Sequence, residues 1–92
     1  MSSVYILVLH GDTSEPYESY PTVELLKAFT SKPTKGDVCY ALKERFPNVA
    51  GVVKFANRDE HSFDRWLSVD PDKWDYYGSH YRWEIEEVGY GN

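Results

Sequence analysis

Residues 4–9 (VYILVL) are the feature that most constrains the fold of this chain. The run is apolar on both faces of an extended backbone, and it is rich in residues that favour β-strands. A strand of this kind is buried on both sides, or it lies inside a sheet that a helix covers on one face. The sequence therefore predicts a central strand that ends at His10, Gly11 and Asp12.

The next two segments are predicted to form a loop and a second strand. Residues 12–21 are polar, contain two prolines and show no hydrophobic period, which indicates a loop. Residues 22–30 alternate in the manner of a strand and place apolar side chains on both faces. We expect this second strand to pair antiparallel with the first through the long loop.

The clearest local signal is a helix over about residues 35–46. Thr34 and Asp37 have the spacing of a capping box, in which two side chains bond reciprocally to the backbone at the start of a helix. An apolar stripe at helical spacing follows, formed by Val38, Ala41, Leu42 and Phe46. Pro47 and Asn48 end the helix.

The second half of the chain is predicted to add three strands. Residues 49–56 have β character. Residues 62–69 fit a strand or a helical turn, and we favour a strand because a strand and a turn precede them. Residues 73–80 indicate a loop or one helical turn. Residues 81–85 alternate cleanly as a strand, and a bulge or the end of the strand would explain the change of phase after Glu87.

These elements predict one α+β domain over residues 1–92. We expect a mainly antiparallel sheet of four to five strands, with the helix packed on one face and the order β-β-α-β-β-β. A chain of 92 residues has no room for a second independent core.

Length and composition exclude several classes of protein. No apolar run is long enough to cross a bilayer, and the N-terminus lacks the basic and long apolar regions of a signal peptide. The single cysteine, Cys39, cannot form an internal disulfide and cannot build a zinc site by itself. We expect a cytoplasmic protein that needs no cofactor.

The residues that carry chemistry do not form a recognisable catalytic set. His10 and Asp12 could contribute to a metal site only if further ligands joined them. Cys39 lies in the first turn of the helix beside the apolar stripe, which favours a half-buried thiol over a nucleophile. Glu84 and Glu86 point the same way on the last strand, toward water, and so do not suit acid–base catalysis. The sequence predicts no enzyme, no catalytic residue and no metal site.

Charge points to a protein partner. Residues 1–57 contain six basic and six acidic residues, whereas residues 58–92 contain four basic and nine acidic ones, so the net charge of −5 lies in the last third. Such a segment repels nucleic acid and suits a basic protein surface. Acidic and aromatic side chains concentrate before the last strand, which predicts a partner-binding loop made of Asp70, Asp72, Trp74, Asp75, Tyr76 and Tyr77. In the alternative interpretation, Trp74 plugs the end of the sheet.

Two other functions stay open. Lys32, Lys35 and the helix start near Thr34 could hold the phosphate of a nucleotide signal, with an aromatic ring stacked on its base. An exposed strand edge in so short a chain could also support a homodimer.

Three stretches resemble small uncharacterised bacteriophage and prophage proteins of strand-strand-helix-strand layout. They are residues 4–10 (VYILVLH), residues 29–34 (FTSKPT) and residues 81–88 (YRWEIEEV). The resemblance implies no known activity. It implies a setting in which a small acidic protein binds and disables a host or antiviral-defence protein in the cytoplasm of the host cell.

Overall fold

The computed structural model describes residues 2–15, 18–58, 67–68 and 78–90. The elements, in chain order, are β1 (Ser2–Glu15), β2 (Glu18–Phe29), α1 (Lys35–Arg45), α2 (Val52–Asn57), β3 (Leu67–Ser68) and β4 (Gly78–Tyr90). The strands form an antiparallel sheet in the order β2-β1-β4-β3. The predicted α+β class is therefore confirmed.

β1 lies inside the sheet, as its apolar faces predict. Leu7, Val8 and Leu9 are each at most 2% exposed. Leu7 and Leu9 belong to the same buried cluster as both helices, whereas Val8 points to the opposite side of the sheet. Burial of both faces explains why the run has no polar alternation.

The predicted loop over residues 12–21 is wrong, because most of this segment continues the β1–β2 hairpin. The register runs through Asp12↔Pro21 to Glu15↔Glu18, and the expected antiparallel pairing is confirmed. Pro21 lies on β2, an edge strand with a neighbour on one side only, which is where a sheet tolerates proline. One irregularity between Leu7 and Val8 shifts the register of this hairpin.

α1 starts and buries the residues that the sequence predicts. The backbone N–H of Asp37 donates to Thr34 Oγ1 at 3.2 Å, and the backbone N–H of Thr34 donates to Asp37 Oδ2 at 2.9 Å. Val38, Ala41 and Leu42 are buried against the sheet. The capping box therefore fixes where the helix starts, and the apolar stripe fixes which face it buries.

The predicted strand over residues 49–56 is wrong, because this segment contains α2. Gly51 has φ 88, a left-handed conformation that glycine adopts without a steric penalty, and the helix starts immediately after it. Val52, Phe55 and Ala56 are buried at the spacing of one helical face. The fourth element of the predicted order is thus a helix, and α2 packs against α1 on the same side of the sheet.

The last strand is confirmed over residues 81–85 and extends to Gly78–Tyr90. It pairs with β1 without a register shift, so neither a bulge nor a strand end follows Glu87. The phase of apolar residues changes there because Val88 lies on the opposite sheet face, where it is 42% exposed.

The expected four to five strands are not confirmed, because only β1, β2 and β4 of the described strands are longer than two residues. β3 is a two-residue ladder, with Leu67 opposite Tyr81 and Ser68 opposite His80. The other residues of the predicted 62–69 strand lie outside the described residues, as do residues 73–77 of the predicted loop.

Candidate functional site

The two faces of the sheet differ in what covers them. Both helices pack on the face that carries Leu7, Leu9 and Trp83. The opposite face, here called the open face, carries no helix in the described part of the chain. Its residues alternate with the core positions and include Val4, Ile6, Val8 and His10 of β1, Val23, Leu25 and Ala28 of β2, and Arg82, Glu84, Glu86 and Val88 of β4.

Apolar side chains are exposed across the open face. Val23 is 67% exposed, Leu25 66% and Val88 42%. The first two lie on the edge strand β2, and Val88 lies on β4 opposite Val4 of β1. Val23 and Leu25 stand directly opposite His10 and Val8 of β1. An isolated exposed apolar residue is ordinary, but several on one sheet face form a surface that can bury area against a partner.

A polar pair lies among these apolar side chains. His10 Nε2 donates a hydrogen bond to Glu84 Oε1 at 2.6 Å, and both side chains are about three-quarters buried, with 28% and 27% exposure. Arg82 Nη1 lies 3.8 Å from the other carboxylate oxygen of Glu84. Burial raises the pKa of Glu84, but the hydrogen bond from His10 and the charges of His10 and Arg82 lower it by more, so the pKa lies below that of an ordinary glutamate.

The remaining chemistry-bearing residues do not form a catalytic set. His10 pairs with Glu84, which is 74 positions away in the sequence, and the side chain of Asp12 is not among those described. Cys39 is half-buried and packs against the core, as expected. Glu86 is exposed, whereas the Glu84 side chain, paired with His10, is about three-quarters buried, so the expectation that it points to water is wrong for Glu84. Among the described residues no three metal-ligating side chains come together.

A cavity of about 420 Å³ opens on the helix side of the sheet. It lies between the start of α1, the end of α2 and the middle of β4, and its lining includes Lys32, Pro33, Lys35, Val38 and Trp83. The structure therefore brings Lys32, Thr34 and Lys35, which the sequence associates with a phosphate, to one concave site. Sequence reasoning missed Trp83 as its floor, because no local pattern links β4 to α1.

Hydrogen bonds fix the floor of this cavity. Trp83 is 2% exposed, and its Nε1 donates to the backbone oxygen of Phe55 at 2.7 Å, which ties β4 to α2. Lys35 Nζ lies 4.8 Å from the centroid of a Trp83 ring and donates to the backbone oxygen of Arg58 at 2.9 Å. The lysine is thereby held over the apolar floor by a cation–π contact and a hydrogen bond.

The predicted partner-binding loop cannot be placed on this frame. Its members Asp70, Asp72, Trp74, Asp75, Tyr76 and Tyr77 all lie outside the described residues. The choice between a binding loop and a core plug stays a prediction.

Comparison with family models, curated proteins and solved structures finds no match to this chain. Within the described residues, neither helix has the length and apolar character needed to cross a bilayer. The function must therefore be inferred from the two surfaces described above, the open face and the cavity.

Proposed function

We propose that this chain is a small, acidic, non-enzymatic protein-binding module and that the open face seats its partner. The observation that carries the proposal is the exposure of Val23 (67%), Leu25 (66%) and Val88 (42%) on a sheet face without a helix over it in the described part of the chain. Burial of such apolar surface against a partner lowers the free energy of the complex by about 25 cal/mol for each Å² removed from water.

The central polar pair of the open face limits the cost of such burial. His10 and Glu84 already form a hydrogen bond of 2.6 Å with each other, and Arg82 lies near the same carboxylate. A charge that is already paired loses less on desolvation than an unpaired one. A partner can therefore cover this pair without leaving a buried charge uncompensated.

The net charge supports a partner with a basic surface. The chain carries −5, and the excess of acidic residues lies in residues 58–92. A partner with a basic rim around an apolar patch would be attracted over distance and then seated by apolar contact. We also propose that the acidic and aromatic segment from Asp70 to Tyr77 forms a second contact with the partner. The partner in this proposal is a host or antiviral-defence protein in the host cytoplasm, and binding inhibits it. The phage-like layout and the acidic charge support this part.

The open face is tested with a pair of matched variants. Val23→Asp adds a negative charge to the open face, and Val53→Asp adds the same charge to α2, where Val53 is 47% exposed. Tagged wild-type and variant proteins are used to capture proteins from host lysate at low and moderate salt. One partner in near-stoichiometric amount should be retained by wild type and Val53→Asp and lost by Val23→Asp. Equal capture by both variants would contradict the proposed face, and circular dichroism checks that each variant is folded.

A second variant separates the acidic segment from the open face. Reversal of Asp70, Asp72 and Asp75 to Lys should weaken capture most at low salt, because exposed charges are screened as salt rises. Unchanged capture would remove the segment from the proposal and leave the open face in it.

A second copy of the chain is the alternative occupant of the open face. Sedimentation equilibrium of the purified protein distinguishes the two. A monomer at micromolar concentration agrees with a heterologous partner, whereas a dimer that Val23→Asp dissociates would replace the heterologous partner with a homodimer.

A further inference from the structure

The cavity on the helix side has a charge opposite to that of the chain. Its described lining includes two lysines, Lys32 and Lys35, and no carboxylate, whereas the chain as a whole carries −5. Lys32 has no partner among the described carboxylates. Two lysines in the lining of one concave site attract an anion, and the negative net charge of the chain makes this local reversal of sign distinctive.

The lining beneath the lysines is apolar. The half-buried Pro33 and Ile85 supply accessible hydrocarbon, Val38 and Trp83 lie buried behind them at 2% exposure each, and Asn57 adds one polar amide. The volume of about 420 Å³ falls within the range of small-molecule sites, which combine apolar walls with a few polar groups. The lining therefore suits a ligand with an anionic group and an apolar or planar body, rather than an inorganic ion.

The start of α1 does not by itself supply the site. Thr34 and Asp37 already hydrogen-bond to each other in the capping box, and the Asp37 carboxylate lies at the N-terminal end of the helix. The attraction for an anion comes instead from the side chains of Lys32 and Lys35. Lys35 now donates to a backbone oxygen, and an anionic group would offer it a full countercharge.

We propose that this cavity binds a small phosphorylated molecule with a planar body, of the mononucleotide class. Lys32 and Lys35 bind the phosphate, and the half-buried Pro33 and Ile85 contact the base. The site lies on the face of the sheet opposite the open face, so its occupation does not depend on the proposed protein partner.

The test is isothermal titration calorimetry of the full chain at low ionic strength. The probes are AMP and GMP, with adenosine and inorganic phosphate as partial ligands. The proposal expects a mononucleotide to bind more tightly than adenosine and than phosphate, because each partial ligand lacks one of the two contacts. The absence of binding with both nucleotides, or equal affinity for a nucleotide and for either partial ligand, would overturn the proposal.

Matched lysine variants locate the binding. Lys32→Gln and Lys35→Gln should each weaken nucleotide affinity about fivefold to tenfold, because each removes one charge-assisted contact from a solvent-exposed site. Lys43→Gln is the control, since Lys43 lies on the exposed side of the same helix and the charge change is identical. Equal affinity in all three variants would overturn the site. Val23→Asp should bind the nucleotide as wild type does, so this proposal and that of the open face can fail separately.

Discussion

Replacement of Trp83 by Phe tests how β4 and α2 are held together. The indole is 2% exposed and donates to the backbone oxygen of Phe55 at 2.7 Å. Loss of that hydrogen bond costs about 1 kcal/mol. The cost stays at this level because the backbone N–H of Arg58 also donates to the same oxygen, at 3.3 Å, so the acceptor is not left without a partner. The smaller ring also loses apolar burial and leaves a void, which costs about 1–2 kcal/mol more.

We therefore expect Trp83→Phe to lower the free energy of unfolding by about 2–3 kcal/mol, a large share of the stability of so small a domain. Urea unfolding followed by circular dichroism measures this change as a lower midpoint at constant slope. Tyr40→Phe is the control, because Tyr40 is 61% exposed and its hydroxyl should contribute less than about 0.5 kcal/mol. A Trp83→Phe effect as small as that of the control would refute both the burial of the indole and its bond to α2.

Two further perturbations test the sheet. Gly11→Ala should lower the stability by about 1–3 kcal/mol in thermal unfolding, because the new Cβ would lie 2.9 Å from Cε1 of the Tyr81 ring. Gly36→Ala, whose Cβ would meet its nearest neighbour at 3.6 Å, should not be destabilised, and equal losses in the two variants would contradict the close packing at Gly11. The pKa of Glu84 is lowered in the folded state, so the stability that its pairing with His10 provides is present above the ordinary pKa of about 4.3 and is lost as the pH falls through the lower folded-state pKa. The difference in urea midpoint between wild type and Glu84→Gln should therefore narrow as the pH falls below about 4.3, and a gap that stays constant down to pH 3 would show that the pairing does not stabilise the fold.

Local patterns predict the elements whose determinants are neighbours in sequence. The capping box of Thr34 and Asp37 is such a pattern, and α1 begins where it indicates. The prediction of a strand over residues 49–56 is wrong because it gave the β-branched valines more weight than the helical spacing of Val52, Phe55 and Ala56. Their side chains are buried against α1 and the sheet, and this tertiary contact overrides the strand preference of the valines.

The site residues depend on contacts that no local pattern records. His10 and Glu84 are 74 positions apart, and only the antiparallel pairing of β1 with β4 brings them together. The lysines near Thr34 carry a visible signal, since basic residues flank a helix start. Their position above Trp83 depends on how α1 packs across the sheet, which the sequence of either element does not determine.

The most direct test of the open face is methyl NMR of valine- and leucine-labelled protein, recorded with and without the captured partner. The account predicts chemical-shift changes at the methyl groups of Val23, Leu25 and Val88, which are exposed on that face, and unchanged signals at Val53 on α2. Changes at Val53 with constant signals from the three open-face residues would contradict the proposal and would place the partner on the helix side of the sheet.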